Sequence, residues 1–384
     1  MTAILFIDLD RFKLVNDSLG HEAGDALLRE AGRRITNGVR PDDMVARLGG
    51  DEFTVMMTDL DEQAEARDVA KRLLDAFSRP LLIGDREVFV DASIGISLVT
   101  EDVNDPGELL RRADIAMYQA KEMGGQSVAV FDQEMGSSLL MRLELETELR
   151  HAIERGQLEL HYQPEIDLKT NRIIAAEDLV RWHHPELGSI SPSRFIPLAE
   201  ETGLILEIGR WVLLEAATTA ASWMEALPDL DLTMSVNLSV RQYLHPGIVE
   251  EIDRVLDQTG LRPERLRLEI TETILMDEKA SSRAVLDQLD RLGIQLAIDD
   301  FGSGYSNLGY LKRLPVETLK IDQIFIKGLG HDRHDTAIVS AITALAHEIG
   351  LRVTAEGVET IEQMEQVRSI GCDYAQGYFF ARPM

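Results

Sequence analysis

From about Ile173 to the C-terminus, short apolar runs that read as strands alternate with longer stretches in which apolar residues recur at helical spacing. The runs are "IIAAEDLVRW", "LTMSVNLS", "RLRLEITET", "IQLAIDDFG", "ETLKIDQIFI", "RVTAEGV" and "DYAQGYFF"; "LELHYQPEI", beginning at Leu158, makes eight. Between them the periodicity predicts helices over Glu207–Leu227, Ile248–Thr259, Ser281–Leu292, Thr336–Ile349 and Thr360–Ile370. Repeated βα units of this kind predict an α/β fold, a TIM-like (β/α)8 barrel over residues 156–384, with its chemistry at the C-terminal strand ends.

The first third has another order. "AILFIDLD" reads as a strand, Glu22–Ile35 as a helix, and "DMVARLGGDEFTVMM" as a hairpin turning at Gly49 and Gly50. A helix over about Glu62–Phe77, a strand "VFVDASIGISLV", a helix over Gly107–Met123 and a closing strand "VAVFD" follow. This is an α+β domain, expected over residues 1–133. Leu139, Leu140, Leu143, Leu149 and Ile153 recur at roughly helical spacing, so residues 137–155 are expected to form a connecting helix.

Composition narrows the function. With 45% hydrophobic residues over 384 positions, the chain can bury full cores. A formal charge of -28 argues against a general binder of nucleic-acid polymers or anionic membranes, because non-specific phosphate binding needs an excess of Lys and Arg. A phosphate ligand would then need metal ions or local cations. The single cysteine, Cys372, excludes an internal disulfide and reads as a buried small hydrophobe. No apolar run approaches a membrane span, and the start "MTAILFIDLD" has no basic n-region or cleavage signal. The chain reads as cytoplasmic, with room for a sensory or membrane-anchored segment upstream in a longer parent. The end at "FFARPM" reads as a trimmed C-terminal helix.

The candidate chemistry lies at the ends of the barrel strands. Glu177, Asn237, Glu269, Asp299 with Asp300, Lys320, Glu356 and Gln376 are each expected there, on seven different strands. Taken singly, a surface acid, a solvated lysine or a turn-forming Asn is the commoner reading. Gathered in one mouth, five carboxylates cannot coexist without cations. Carboxylates and an Asn, with no His or Cys, favour Mg²⁺ or Mn²⁺ over zinc. Two such ions about 3.5 to 4 Å apart clamp the attacking and leaving oxygens of a phosphoryl displacement. Adjacent Asp299 and Asp300 suit that arrangement, since one can bridge two ions while the other serves one. Lys320 would orient or help deprotonate a water and offset phosphate charge.

In "AAEDLVRW", "SVNLS", "LEITET", "IDDFGSGYSNL", "LKID", "AEGVET" and "AQGY", in this order, the chain resembles the EAL family of cyclic di-GMP phosphodiesterases from about Leu139 onward. The resemblance implies hydrolysis of cyclic di-GMP to linear pGpG. It implies metal binding by Glu177, Asn237, Glu269, Asp299 and Asp300, with Glu356 at the second metal or as base. Lys320 would position water, with Asp322 and Gln376 beside it. Gln163 and Arg181 match substrate-contacting positions, and Glu272 the glutamate that anchors the loop after the aspartate pair. The family also implies a homodimer formed through that loop. In one departure, Asp178 stands where the family usually has Ala. Strand alternation turns it away from Glu177, toward the helical layer, where pairing with Arg181 or His183, or partial exposure, is expected to make it tolerable.

"RLGGDEF" and "FIDLDRFKLVNDSLGHEAGD" resemble the GGDEF family of diguanylate cyclases. The resemblance implies a metal-triphosphate site at Asp8, Asp51 and Glu52, guanine contacts from Asn16 and Asp25, phosphate contacts from Lys13 and Lys121, and an inhibitory site at Arg40 and Asp43. The segment preceding the family's first core strand is absent, and "KEMGGQ" places Gly125 and Gln126 where the family has a phosphate-contacting Arg and its neighbour. Loss of that charge-assisted contact predicts a weak or silent cyclase that still binds GTP and regulates the barrel. The competing readings are a bifunctional cyclase and phosphodiesterase, and a non-catalytic cyclic di-GMP receptor.

Overall fold

The computed structural model describes the chain except residues 11, 84–85, 100–102, 104, 124, 228–230, 273–279, 303–310 and 312–313, and except the side chains of 13, 83, 86, 137–140 and 280–282. Two compact units emerge, Met1–Glu144 and Leu145–Met384, and the helix Gln133–Ala152 contains the point of division.

The N-terminal unit is built on β1 (Ala3–Leu9), β2 (Met44–Gly49), β3 (Glu52–Met57), the short pair β4 (Leu81–Ile83) and β5 (Arg86–Val88), β6 (Ala92–Leu98) and β7 (Val128–Val130). Its sheet runs β2-β3-β1-β6-β7, antiparallel except for the β6–β7 pair. β1 and β6 alternate little because both faces are covered: Leu5, Ile7, Ile94 and Ile96 on one face are 0% exposed, and Phe6, Ser93 and Ser97 on the other are buried too. Helix Pro106–Glu122 starts where Asp105 accepts from the Glu108 N–H at 3.2 Å and proline occupies the first turn. It lies against β6 so closely that a Cβ on Gly95 would stand 2.0 Å from the Ala113 carbonyl oxygen. The single strand expected from "VFVDASIGISLV" is divided: Val88 belongs to β5 and β6 begins at Ala92, while the Asp91 carbonyl accepts from the Asp10 N–H at 2.9 Å, one pair beyond Leu9 and Ala92. A helix over Phe12–Leu19 was not foreseen.

The C-terminal unit contains β8 (Leu158–Asp167), β9 (Ile173–His184), β10 (Gly188–Ile190), β11 (Thr233–Leu238), β12 (Leu266–Thr271), β13 (Gln295–Phe301), β14 (Thr318–Ile321), β15 (Arg352–Ala355) and β16 (Tyr374–Ala375). β9, β11 and the strands through β16 run parallel, and β8 closes the ring of eight by pairing with both β9 and β16. β10 is a short hairpin partner on β9. The expected barrel is present, with one strand reversed: β8 is antiparallel to both neighbours because a turn at Asp167–Arg172, rather than a helix, leads into β9.

The helix Ile248–Thr259 has the bounds its periodicity predicts. Helix Pro192–Thr202 escaped prediction because "SPSRFIPLAEETG" carries two prolines; one sits in its first turn, and Phe195, Leu198 and Ala199 are its buried face. The barrel interior is polar below the mouth, where Arg267 Nη1 lies 2.6 Å from Glu165 Oε2 and Thr354 also bonds Glu165, all three buried.

Candidate active site

Strand register brings the predicted acids together. Gln163 on β8 pairs with Glu177 on β9, Asn237 on β11 with Glu269 on β12, and Lys320 on β14 with Thr354 on β15; Glu356 follows β15 directly. Lys320, 1% exposed, is the hub. Its Nζ lies 3.1 Å from Glu177 Oε2, 3.2 Å from Asp299 Oδ1 and 2.7 Å from Glu356 Oε1, and it also bonds Glu269. Asn237 Nδ2 donates to Glu177 Oε1 at 2.8 Å and Gln376 Nε2 to Glu177 Oε2 at 2.7 Å.

These contacts set the charges. Burial opposes the ammonium of Lys320, but Asp299, Glu177, Glu269 and Glu356 outweigh it and hold its pKa well above the ordinary value. Glu177, also disfavoured by burial, is drawn below its ordinary value by Lys320, Asn237 and Gln376. Glu269 has no such surplus of donors, and burial with the charges of Glu177 and Asp299 pushes it up to about 8. Burial likewise pushes Glu356 well above the carboxylate range. Five carboxylates face one ammonium, so the cluster is short of positive charge.

In a regular strand, Asp299 and Asp300 would point to opposite sides. Here the β13–β14 register shifts between Ile298 and Phe301, and Asp300 adopts a positive φ of 52°. The bulge turns both carboxylates to the mouth, where oxygens of Asp299, Asp300 and Glu356 lie within 4.8 Å of one another. Burial, Asp299 and Asp322 raise Asp300 to about 6. Asp299 Oδ1 is buried and, though near Lys320, accepts no hydrogen bond. An oxygen-lined pocket with raised carboxylates and an unsatisfied oxygen fits a hard divalent ion.

Gln163, Glu177, Leu179, Glu356, Gln376 and Tyr378 line a cavity of about 350 Å³ at this mouth. Gln163 is fixed by Gln376 Nε2 at 3.2 Å and by its own bond to the Ala381 carbonyl at 3.0 Å. Asp322 caps Gln323–Ile326 through the Ile324 N–H. Arg181 does not line that cavity: its Nη1 donates to the Val180 carbonyl, and it lines an adjoining, mainly apolar cavity of about 290 Å³ that Leu179, Asn237 and Glu269 also border. Glu272 Oε2 accepts from the Gly302 N–H at 3.3 Å, at the start of the loop it was expected to anchor. The rest of that loop, residues 303–310 with its expected dimer contact, lies outside the described residues.

The pairing expected for Asp178 is not found. Arg181 turns to the Val180 carbonyl, His183 bonds Glu159 at 2.7 Å, and Asp178 is only 2% exposed. The Asn237 backbone donates to it, its Oδ2 has no partner among the described residues, and burial followed by the Glu177 charge raises it well above its ordinary value. Glu177 nonetheless keeps its bonds to Asn237, Gln376 and Lys320. Leu179 and Tyr378 in the mouth were not singled out from sequence; Leu179, two residues beyond Glu177 on the same strand face, could have been.

A family model described as "EAL domain" matches residues 146–383, and one described as "Diguanylate cyclase, GGDEF domain" matches residues 1–127. The chain is a tandem GGDEF–EAL protein. Over 382 residues it is 46% identical to the bifunctional diguanylate cyclase/cyclic di-GMP phosphodiesterase MucR of Pseudomonas aeruginosa, covering 100% of this chain and 56% of MucR. It is 40% identical to the cyclic di-GMP phosphodiesterase NbdA of the same organism, covering 100% of this chain and 48% of NbdA. The chain thus spans about half the length of the curated relatives it matches. A solved PaMucR phosphodiesterase structure, a c-di-GMP complex, is 46% identical with a TM-score of 0.61, covering 63% of this chain and 97% of that one. The S helix-GGDEF-EAL structure of Vibrio cholerae LapD, 18% identical with a TM-score of 0.62, shares the fold over 99% of this chain and 89% of its own.

In the GGDEF unit, Asp8 and Glu52 are register partners, and Asp51 precedes β3 at the hairpin tip. Lys121 Nζ lies 2.6 Å from Asp8 Oδ1. Burial raises Asp8 despite Lys121; burial and Asp114, Asp8 and Asp51 raise Glu52. Asn16 packs over Gly24, where a Cβ would stand 1.9 Å from its Oδ1; neighbouring Asp25 is exposed. The Lys13 side chain lies outside the described residues. Arg40 and Asp43 form a turn rather than an ion pair: Asp43 accepts from the Arg40 backbone at 2.8 Å, while the Arg40 guanidinium bonds Glu65 at 2.7 Å. Asp10, not singled out from sequence, accepts from Ser93 Oγ at 3.0 Å and from the Gln126 N–H at 3.3 Å. The Gln126 side chain donates to Ser78.

Proposed function

We propose that the chain is a divalent-metal-dependent phosphodiesterase that opens one phosphodiester of cyclic di-GMP to give linear pGpG. One observation carries this reading: four carboxylates contact buried Lys320 and a bulge turns a fifth, Asp300, to the same mouth, beside amide side chains. Two Mg²⁺ or Mn²⁺ ions would supply neutralisation of the phosphodiester and an acidified water. Asp299, Asp300 and Glu356 would hold one, and Glu177, Asn237 and Glu269, sharing Asp299, the other. Lys320, an ammonium among its carboxylate neighbours, would orient the attacking water by donating a hydrogen bond and would face phosphate charge. Gln163 and Gln376, bonded to each other, present amides to the substrate, and Glu272 fixes the start of the loop at Gly302. Arg181 and Asp322 complete the substrate contacts in this reading, from positions at the rim. The likeness to the PaMucR c-di-GMP complex supports the substrate.

The GGDEF unit is proposed to be a weak or silent cyclase that still binds GTP and regulates the barrel, since Gly125 and Gln126 offer no guanidinium to a triphosphate. The test is hydrolysis of cyclic di-GMP with and without chelator. Glu269→Ala, Asp299→Ala and Lys320→Ala are each expected to lower kcat by about 10²- to 10³-fold or more. Near-normal rates in all three reject the mechanism, and binding without turnover points to a receptor. Product formation from GTP and Mg²⁺ would make the protein bifunctional.

A further inference from the structure

Among the described residues, two groups have the donors and spacing to hold a metal ion: the aspartate pair with Glu356, and a second group remote from it. The second is Glu159 and His161 on β8 with His183 on β9. Glu159 Oε1 lies 2.7 Å from Nε2 of His161 and 2.7 Å from Nε2 of His183, and the three atoms lie within 4.8 Å of one another. In a tetrahedral site with arms of about 2.0–2.1 Å, ligand atoms stand about 3.4 Å apart, so small side-chain rotations would admit an ion. The side chains are 50%, 32% and 48% exposed, leaving water free to complete a coordination sphere.

The donor set differs in kind from that of the mouth. Two imidazoles and a carboxylate suit a borderline ion such as Zn²⁺, whereas oxygen ligands suit Mg²⁺. Register places the group on a particular face. His161 pairs with Leu179, Glu159 with Arg181 and Gln163 with Glu177, so Glu159, His161 and His183 continue the strand face that carries Gln163 and Glu177. Glu159 lies four residues from Gln163, about 13 Å along the ribbon.

We propose that Glu159, His161 and His183 form a site for a divalent transition metal of the Zn²⁺ class, clamping β8 to β9 beyond the mouth. The inference goes beyond the proposed hydrolysis and does not rest on it. Binding requires the lone pair of each Nε2, so a proton on either nitrogen is released to solvent or transferred to Nδ1, and affinity falls in acid.

The test uses the full chain with Mg²⁺ in excess to occupy the mouth. Zn²⁺ titrated by calorimetry is expected to fill one site that His161→Gln, His183→Gln and Glu159→Gln each weaken by about 10- to 100-fold or more. Cu²⁺ as probe is expected to show imidazole-nitrogen hyperfine coupling in its EPR spectrum, lost in the His161→Gln/His183→Gln double variant. Unchanged circular dichroism in the exposed single variants separates loss of ligand from loss of fold. Equal Zn²⁺ stoichiometry and affinity in wild type and variants, or no Zn²⁺ bound beside Mg²⁺, would overturn the proposal.

Discussion

At the scale of single residues, two buried ionisable groups of the barrel behave oppositely. Lys320 has four carboxylate neighbours and keeps its charge; Asp178, one residue from Glu177, has a lone backbone donor and resists ionisation. Because its pKa is higher folded than unfolded, Asp178 contributes fully below the unfolded value, and that contribution is lost as pH rises through the folded one. Asp178→Asn is therefore expected to stabilise the chain by about 1–3 kcal/mol at pH 8 and less at pH 5. Denaturant titrations at the two pH values check this, and a loss of stability at pH 8 would mean the carboxylate is satisfied. Cys372, 4% exposed and pushed up by burial to about 11, should react with a thiol reagent at pH 8 far more slowly in the folded chain than in denaturant. Equal labelling rates would contradict its burial.

At the scale of elements, the site depends on an irregularity. A regular β13 would send Asp300 outward; the register shift and positive φ, which for a non-glycine residue cost about 1–2 kcal/mol, turn it back. Sequence showed that two aspartates end a strand, but not how both could face one way, because bulges leave no periodic signal. The same limit hid the reversal of β8, whose alternation reads alike in either direction, and helix Pro192–Thr202, whose prolines mimic a loop. Helix Pro106–Glu122 crosses β6 at close range over Gly95. In Gly95→Ala the new methyl would meet backbone at 2.0 and 2.1 Å, which cannot rotate away. A destabilisation of about 3 kcal/mol is expected in denaturant unfolding of the chain; wild-type stability would show that the strand and helix separate freely.

At the scale of the whole molecule, the alternation of strand-like and helical segments was enough to read two folded units and the barrel among them. Glu269, Asp299, Asp300 and Glu356 could be assigned to strand ends because parallel strands present those ends together; Glu177, expected at an end, lies inside β9, which runs on to His184 beside β8. What stayed hidden was three-dimensional choice: the Arg40 guanidinium bonding Glu65, and Asp178 left without its expected partners. A chain of charge -28 with so many acids in one mouth would be expected to fall apart when stripped of cations. EDTA is nevertheless expected to abolish hydrolysis while leaving the far-ultraviolet dichroism spectrum unaltered; unfolding on chelation would contradict this. The reason is that Lys320 is a tethered cation, already seated among the carboxylates before any ion arrives. On the proposed mechanism the chain is therefore expected to fold with its mouth free of magnesium or manganese, and the abundance of those ions would govern how fast the folded molecule works instead of whether it survives.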